Sequence, residues 1–176
     1  MNTALRLIAI VMLAALLSAC ARQTTPEPEP PVAEPPIEQP EPPVTDRIDP
    51  RDFTDVRNLD NPDSLLSQRV VYFEFDRSNI RAQFRPIIEA HAAYVRANPS
   101  ARVILEGHAD ERGSREYNLA LGERRGNAVG EAMEAGRVSS SQLEVVSYGE
   151  ERPVCRNSDD DCWQRNRRVE IVYTAR

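Results

Sequence analysis

Residues 103–136 read VILEGHADERGSREYNLALGERRGNAVGEAMEAG, and the change of hydrophobic period inside this stretch decides the fold class. Val103, Ile104 and Leu105 form a short aliphatic run closed by Gly107, the pattern of a buried strand. Ser114 is placed to cap a helix, and Tyr117, Leu121, Ala128, Val129, Ala132 and Met133 then recur at helical spacing until Gly136 stops them. A strand that passes through a polar loop into a helix is half of an α/β unit.

The alternation continues on both sides. Upstream, Val70-Val71-Tyr72-Phe73-Glu74-Phe75 predicts a strand that residues 76–79 end. Phe84, Ile87, Ile88, Ala92, Tyr94 and Val95 follow at threes and fours. That helix must start just before Pro86, because only a first-turn N–H needs no partner, and Asn98-Pro99 ends it. Downstream, residues 145–148 and 169–173 predict two more strands. The order β-α-β-α-β-β gives an α/β fold: a two-layer sandwich whose mixed sheet carries two main helices on one face. Residues 68–176 suffice for a core that buries roughly 60 to 70% of the unfolded surface.

The second helix holds Gly122, Gly126 and Gly130, each costing about 1 kcal/mol relative to alanine. Glu123, Arg124, Arg125 and Glu131 interleave with them and exclude a lipid-buried helix pair. The remaining expectation is that one glycine admits the helix close to the sheet and the others are tolerated.

The N-terminal part has a different composition. Arg6 precedes the apolar run Leu7 to Leu17, which is too short to span a bilayer and has the length of a signal-peptide core. It ends in Leu17-Ser18-Ala19-Cys20, which resembles a bacterial lipobox, with residues 1–19 removed and Cys20 acylated; an ordinary secretory peptide with a chance cysteine is the alternative. Several acyl chains anchor stably where one does not. Ala21, where an aspartate would signal retention in the inner membrane, points to the outer membrane. Residues 26–43 hold nine prolines and five glutamates, too little apolar surface to fold. The whole of 20–67 reads as the acylated cysteine and an acidic tether, and the folded domain as 68–176; a proline-rich ligand for a partner domain is the other reading of the tether.

The charge pattern agrees. All 22 basic residues are arginine against 28 acidic ones, a net charge of −6. Residues 68–176 carry 17 of each sign and net to zero, so the negative balance belongs to the tether. A neutral domain excludes nucleic acid as a partner, and the absence of lysine excludes Schiff-base, phosphate-loop and lysine-linked chemistry. Cys155 and Cys162 remain as an even pair, which in an oxidising compartment reads as a disulfide; a zinc site would need two further ligands.

Polar groups concentrate at Glu106-Gly107-His108-Ala109-Asp110-Glu111-Arg112-Gly113, the end of the second strand, where α/β sheets bind ligands. Arg124-Arg125-Gly126-Asn127 follows on the helix. The stretch from Gly107 to Asn127, with Phe73 to Asp76 and Asn166-Arg167-Arg168-Val169-Glu170, resembles the OmpA-like peptidoglycan-binding domain family. With the lipobox and tether, the chain resembles the lipid-anchored, peptidoglycan-associated branch of that family. The resemblance implies non-covalent binding of the meso-diaminopimelate stem of peptidoglycan, without a cofactor or metal. Asp110 would accept the ligand ammonium and Arg125 would grip a carboxylate, with Asp76 a second contact and Leu121 and Asn127 bordering the pocket. It also implies TolB and the other components of the Tol-Pal system as partners, and a role in envelope integrity and cell division.

Two alternatives stay open on the residues themselves. Asp110 and Arg125 could form only a surface salt bridge worth about 0 to 1 kcal/mol; on the binding reading, alanine at either should abolish retention on purified sacculi while leaving the melting curve nearly unchanged. His108, Asp110 and Glu111 could belong to a metal-dependent peptidoglycan hydrolase. That reading is short of ligands, because the only other histidine is His91, on the first helix. Arg167 and Arg168 read as structural or rim residues.

Overall fold

The computed structural model of the chain describes residues 48–176. Its elements are β1 (Val70–Tyr72), α1 (Arg85–Ala97), β2 (Arg102–His108), α2 (Arg115–Ala135), β3 (Leu143–Gly149), α3 (Asp160–Asn166) and β4 (Arg168–Ala175). The strands form a sheet of order β1-β4-β2-β3, with β2 and β3 parallel and β4 antiparallel to both its neighbours. This is the expected mixed sheet. Val71, Phe73, Leu105 and Ile171 of the sheet side pack with Ile88, Tyr94 and Val95 of α1 and Val129 and Met133 of α2 into one core.

The helix ends follow local chemistry. Ser114 accepts from the Tyr117 N–H at 3.2 Å, satisfying one of the orphan donors of α2, and Pro86 occupies the first turn of α1, where its missing N–H costs nothing.

Five expectations need correction. β2 does not stop at Gly107 but pairs with β4 and β3 through it. The glycine serves a contact across layers: a Cβ on Gly107 would collide with the Gly122 carbonyl, and one on Gly122 would meet the Ser147 hydroxyl and lie 2.9 Å from the Gly107 oxygen. Nor is a single helix glycine responsible, since a Cβ on Gly126 would come within 2.5 Å of Val145 Cγ1, whereas one on Gly130 would have 3.4 Å to Leu105. Two of the three glycines therefore let α2 lie on β2 and β3.

The first strand is shorter than its composition suggests. Phe73 still donates its N–H to Arg167 O at 2.9 Å and is fully buried, but the chain then turns, leaving Phe75 54% exposed and Asp76 at a φ of +53°. Between β3 and β4 the chain also forms α3, which carries no apolar period to reveal it. Asp159 caps α3 by accepting from Cys162 N at 2.7 Å, and Asp160 and Asp161 in its first turn complement the helix dipole.

The packed body also begins before residue 68. Short 3-10 turns at Val56–Leu59 and Leu65–Ser67 insert Leu59 and Leu66 into the core, and the buried Asn58 side chain donates to Asp49 O and Asp52 O at 2.7 and 2.8 Å. Isolated leucines in a polar acidic stretch gave no period to read. The expected signal peptide of residues 1–19, Cys20 and the proline-rich stretch to residue 47 lie outside the described residues. Among the described residues no helix is long and apolar enough to cross a membrane.

Candidate ligand-binding site

Three segments converge at the C-terminal end of β2. The loop after β1 brings Phe75 and Asp76, the β2–α2 loop brings Asp110, Arg112 and Gly113, and α2 presents Tyr117, Asn118, Leu121 and Arg125. Together they line a cleft of about 200 Å³. Leu121 and Arg125 are four residues apart and so share a helix face. Asn127 does not join them: it is exposed and outside the lining, because six residues past Leu121 it has rotated to another face. Of the five residues expected there, the fold brings four together.

The Asp110 side chain is 4% exposed and densely bonded. Arg112 donates its backbone N–H and Nε to Oδ1 at 3.1 and 3.2 Å and Nη2 to Oδ2 at 2.8 Å; Arg167 Nη1 reaches Oδ2 at 3.1 Å. Burial alone would raise the Asp110 pKa, but the hydrogen bonds from Arg112 and Arg167 outweigh it and hold the carboxyl below its ordinary range. Arg167 is thus part of the site's support and not a rim residue.

Arg125 is fully buried. Its Nε donates to Arg77 O at 2.9 Å, Nη1 to His108 O at 2.7 Å and Nη2 to Glu74 O at 3.1 Å. One guanidinium thereby ties the loop after β1 to the end of β2, and its Cζ lies 5.4 Å from the Phe73 ring centroid. Burial lowers its pKa to about 10, with the Asp110 charge opposing the drop, so it stays protonated at neutral pH. Both residues are interior groups with several partners, so the surface-bridge alternative fails, and the melting curve cannot be indifferent to alanine at either position.

The remaining walls complete the geometry. Tyr117 donates its hydroxyl to Asp76 across the mouth of the cleft. The left-handed backbone at Asp76 is uncommon outside glycine, asparagine and aspartate, and strain of this kind collects at ligand sites. Arg112 lies between two aromatic faces, 4.0 Å from the Phe75 centroid and 4.1 Å from that of Trp163. Glu111 accepts from Trp163 Nε1 at 3.0 Å and from Ser158 Oγ at 2.6 Å, which docks α3 beside the cleft. Cys155 and Cys162 are disulfide-bonded, with 5.2 Å between their Cα atoms, and clip the start of α3 to the preceding loop. Sequence reasoning passed over Phe75, Arg112, Tyr117, Asn118 and Trp163. Phe75 and Tyr117, aromatic residues within the motif stretches themselves, were the available signal.

The hydrolase ligand set does not assemble. Asp110 is taken by two arginines and Glu111 by Trp163 and Ser158, while the His108 ring stacks on Tyr148 with 5.6 Å between centroids. Among the described residues no three histidine, cysteine or acidic side chains are grouped to hold a metal.

An α/β sandwich with a buried arginine and aspartate at one strand end defines the class, and the comparisons agree. The pattern of the OmpA family matches residues 72–167. The peptidoglycan-associated lipoprotein of Legionella pneumophila is 48% identical over 103 residues, 58% of this chain and 58% of that protein. That of Pasteurella multocida is 44% identical over 110 residues, covering 61% of this chain and 73% of its own length. The crystal structure of the peptidoglycan-associated lipoprotein from Burkholderia pseudomallei superposes with a TM-score of 0.65 at 40% identity, over 66% of this chain and 98% of that one. The chain belongs to the OmpA family, and its relatives within that family include peptidoglycan-associated lipoproteins. It is not a family of enzymes, and the hydrolase reading is set aside.

Proposed function

We propose that the chain is a non-covalent peptidoglycan-binding lipoprotein that holds the outer membrane to the cell wall. The observation that carries this reading is the charge pattern of the cleft. Asp76 and Asp110 face Arg112 and Arg125, and Arg125 spends its three hydrogen bonds on backbone carbonyls, which do not neutralise it. A cleft with two charges of each sign, one buried cation among them, suits a zwitterion. The free end of a meso-diaminopimelate stem is one: its carboxylate complements Arg125, its ammonium the aspartates, and Leu121 its aliphatic chain. Charge-assisted bonds of about 1.5 to 3 kcal/mol each, set against association costs of at least about 4, make a single stem a weak ligand. Tethering beside a repeating polymer supplies the avidity.

The anchor completes the reading: acylation of Cys20 in the outer membrane, with residues 21–47 bridging to a domain that faces the periplasm. TolB and the other Tol-Pal components are the proposed protein partners, and envelope integrity during division is the proposed role. The full chain should be retained on purified sacculi, with Asp110→Asn reducing retention while the fold persists; equal retention of both would refute the site. Cys20→Ala should release the protein from the membrane fraction.

A further inference from the structure

We propose that Arg112 occupies the ammonium position of the cleft when no ligand is bound, and that an incoming zwitterion takes its place at Asp110. The inference rests on the peptidoglycan reading above and goes beyond it by naming the residue that sets the cleft's selectivity.

An ionised carboxylate offers about four acceptor directions. All four at Asp110 are filled: two on Oδ1 by the Arg112 backbone N–H and Nε, and two on Oδ2 by Arg112 Nη2 at 2.8 Å and Arg167 Nη1 at 3.1 Å. A ligand ammonium therefore reaches this carboxylate only if one guanidinium leaves. Arg167 is held elsewhere as well, donating to Phe73 O at 3.2 Å and to Gln164 Oε1 at 2.7 Å, and its side chain is 9% exposed. The Arg112 side chain is 32% exposed, and apart from Asp110 it meets the faces of Phe75 and Trp163. Contacts of that kind are worth about 0.5 to 1 kcal/mol at exposed sites. Arg112 is the guanidinium that can move.

The exchange replaces one cation by another at Asp110, so no charge is left buried and uncompensated. It also sorts ligands. A simple cation must displace Arg112 and gains nothing at Arg125, whereas a zwitterion recovers the loss through its carboxylate on the buried guanidinium.

Trp163 is the only tryptophan of the chain and stacks on Arg112, so its emission reports the displacement. The full chain is titrated with meso-diaminopimelate, following emission and, independently, heat. Emission should change and saturate with the calorimetric isotherm, and Arg112→Gln should bind roughly tenfold tighter, equivalent to about 1.4 kcal/mol. Binding that leaves Trp163 emission unchanged, or Arg112→Gln binding no tighter than wild type, overturns the displacement and leaves the peptidoglycan reading standing. No heat of binding in the wild type overturns both.

Discussion

Asp110 and Arg167 are joined by an interior ion pair, Oδ2 to Nη1 at 3.1 Å, that links the end of β2 to the residue just before β4. Stranding a buried charge completely costs about 3 to 5 kcal/mol, and Asp110 keeps the Arg112 guanidinium when Arg167 is removed, so the loss should be a part of that. Against a total stability of about 5 to 15 kcal/mol, Arg167→Ala should still lower the urea midpoint measurably, though Arg167 lies outside the cleft lining. An unfolding free energy within about 0.5 kcal/mol of wild type would show that the pair does not support the site.

Stability should fall on acidification between pH 6.5 and 4. The His91 ring accepts from the Tyr173 hydroxyl at 2.8 Å and, through Nε2–H, donates to Gln68 O at 3.1 Å, a neutral arrangement that burial enforces by lowering its pKa to about 4. His108 is lowered to about 4 by burial, with Arg168 adding to the effect. A depressed pKa means the unfolded chain binds protons first, so stability is intact above the unfolded value of 6.5 and is lost as pH drops toward 4. Each histidine contributes a slope of about 1.4 kcal/mol per pH unit in that window. Melting curves of wild type and His91→Gln across it should converge at low pH; parallel curves would count against a buried neutral His91.

The helix glycines should respond differently to alanine. Gly122→Ala drives a methyl into the Ser147 hydroxyl and the Gly107 carbonyl, so it should destabilise by about 1 to 3 kcal/mol. Gly130→Ala meets Leu105 at 3.4 Å, nearly ordinary contact, and should gain up to about 1 kcal/mol of helix propensity. Equal effects in denaturant titrations would contradict the packing described for α2.

Removing the Cys155–Cys162 bond by a double serine substitution should cost about 2 to 3 kcal/mol, the loop-closure value for so short a loop. Because Trp163 follows Cys162 directly and covers Arg112, the same variant should also let Arg112 leave Asp110 more easily and bind wall fragments more tightly. Unchanged affinity would separate the clip from the cleft.

What the sequence disclosed depended on period. α1 and α2 were legible because Ile87, Ile88, Tyr94 and Val95, or Leu121, Val129 and Met133, recur at helical spacing, and Ser114 and Gly136 mark the ends of α2. α3 stayed hidden because its apolar residues, Cys162 and Trp163, are adjacent and make no period, and the packed turns at 56–67 because Leu59, Leu65 and Leu66 do not make one. At the site, motif position identified Asp76, Asp110, Leu121 and Arg125, but a linear motif shows neither rotation nor partners. Asn127 therefore appeared to belong to the cleft and Arg112 did not, and Arg167 and Trp163, which support Asp110 and Arg112 from outside the lining, carried no signal. The Asp110 to Arg167 bond spans 57 positions, a relationship that only the folded sheet creates.

The most direct test of the zwitterion cleft is competition on purified sacculi. The full chain is bound, then challenged with meso-diaminopimelate or with 1,5-diaminopentane, which keeps both ammonium groups and lacks both carboxylates. Release by diaminopimelate alone is the predicted result. Release by both, or by neither, would contradict recognition of a carboxylate by Arg125 beside an ammonium at Asp110.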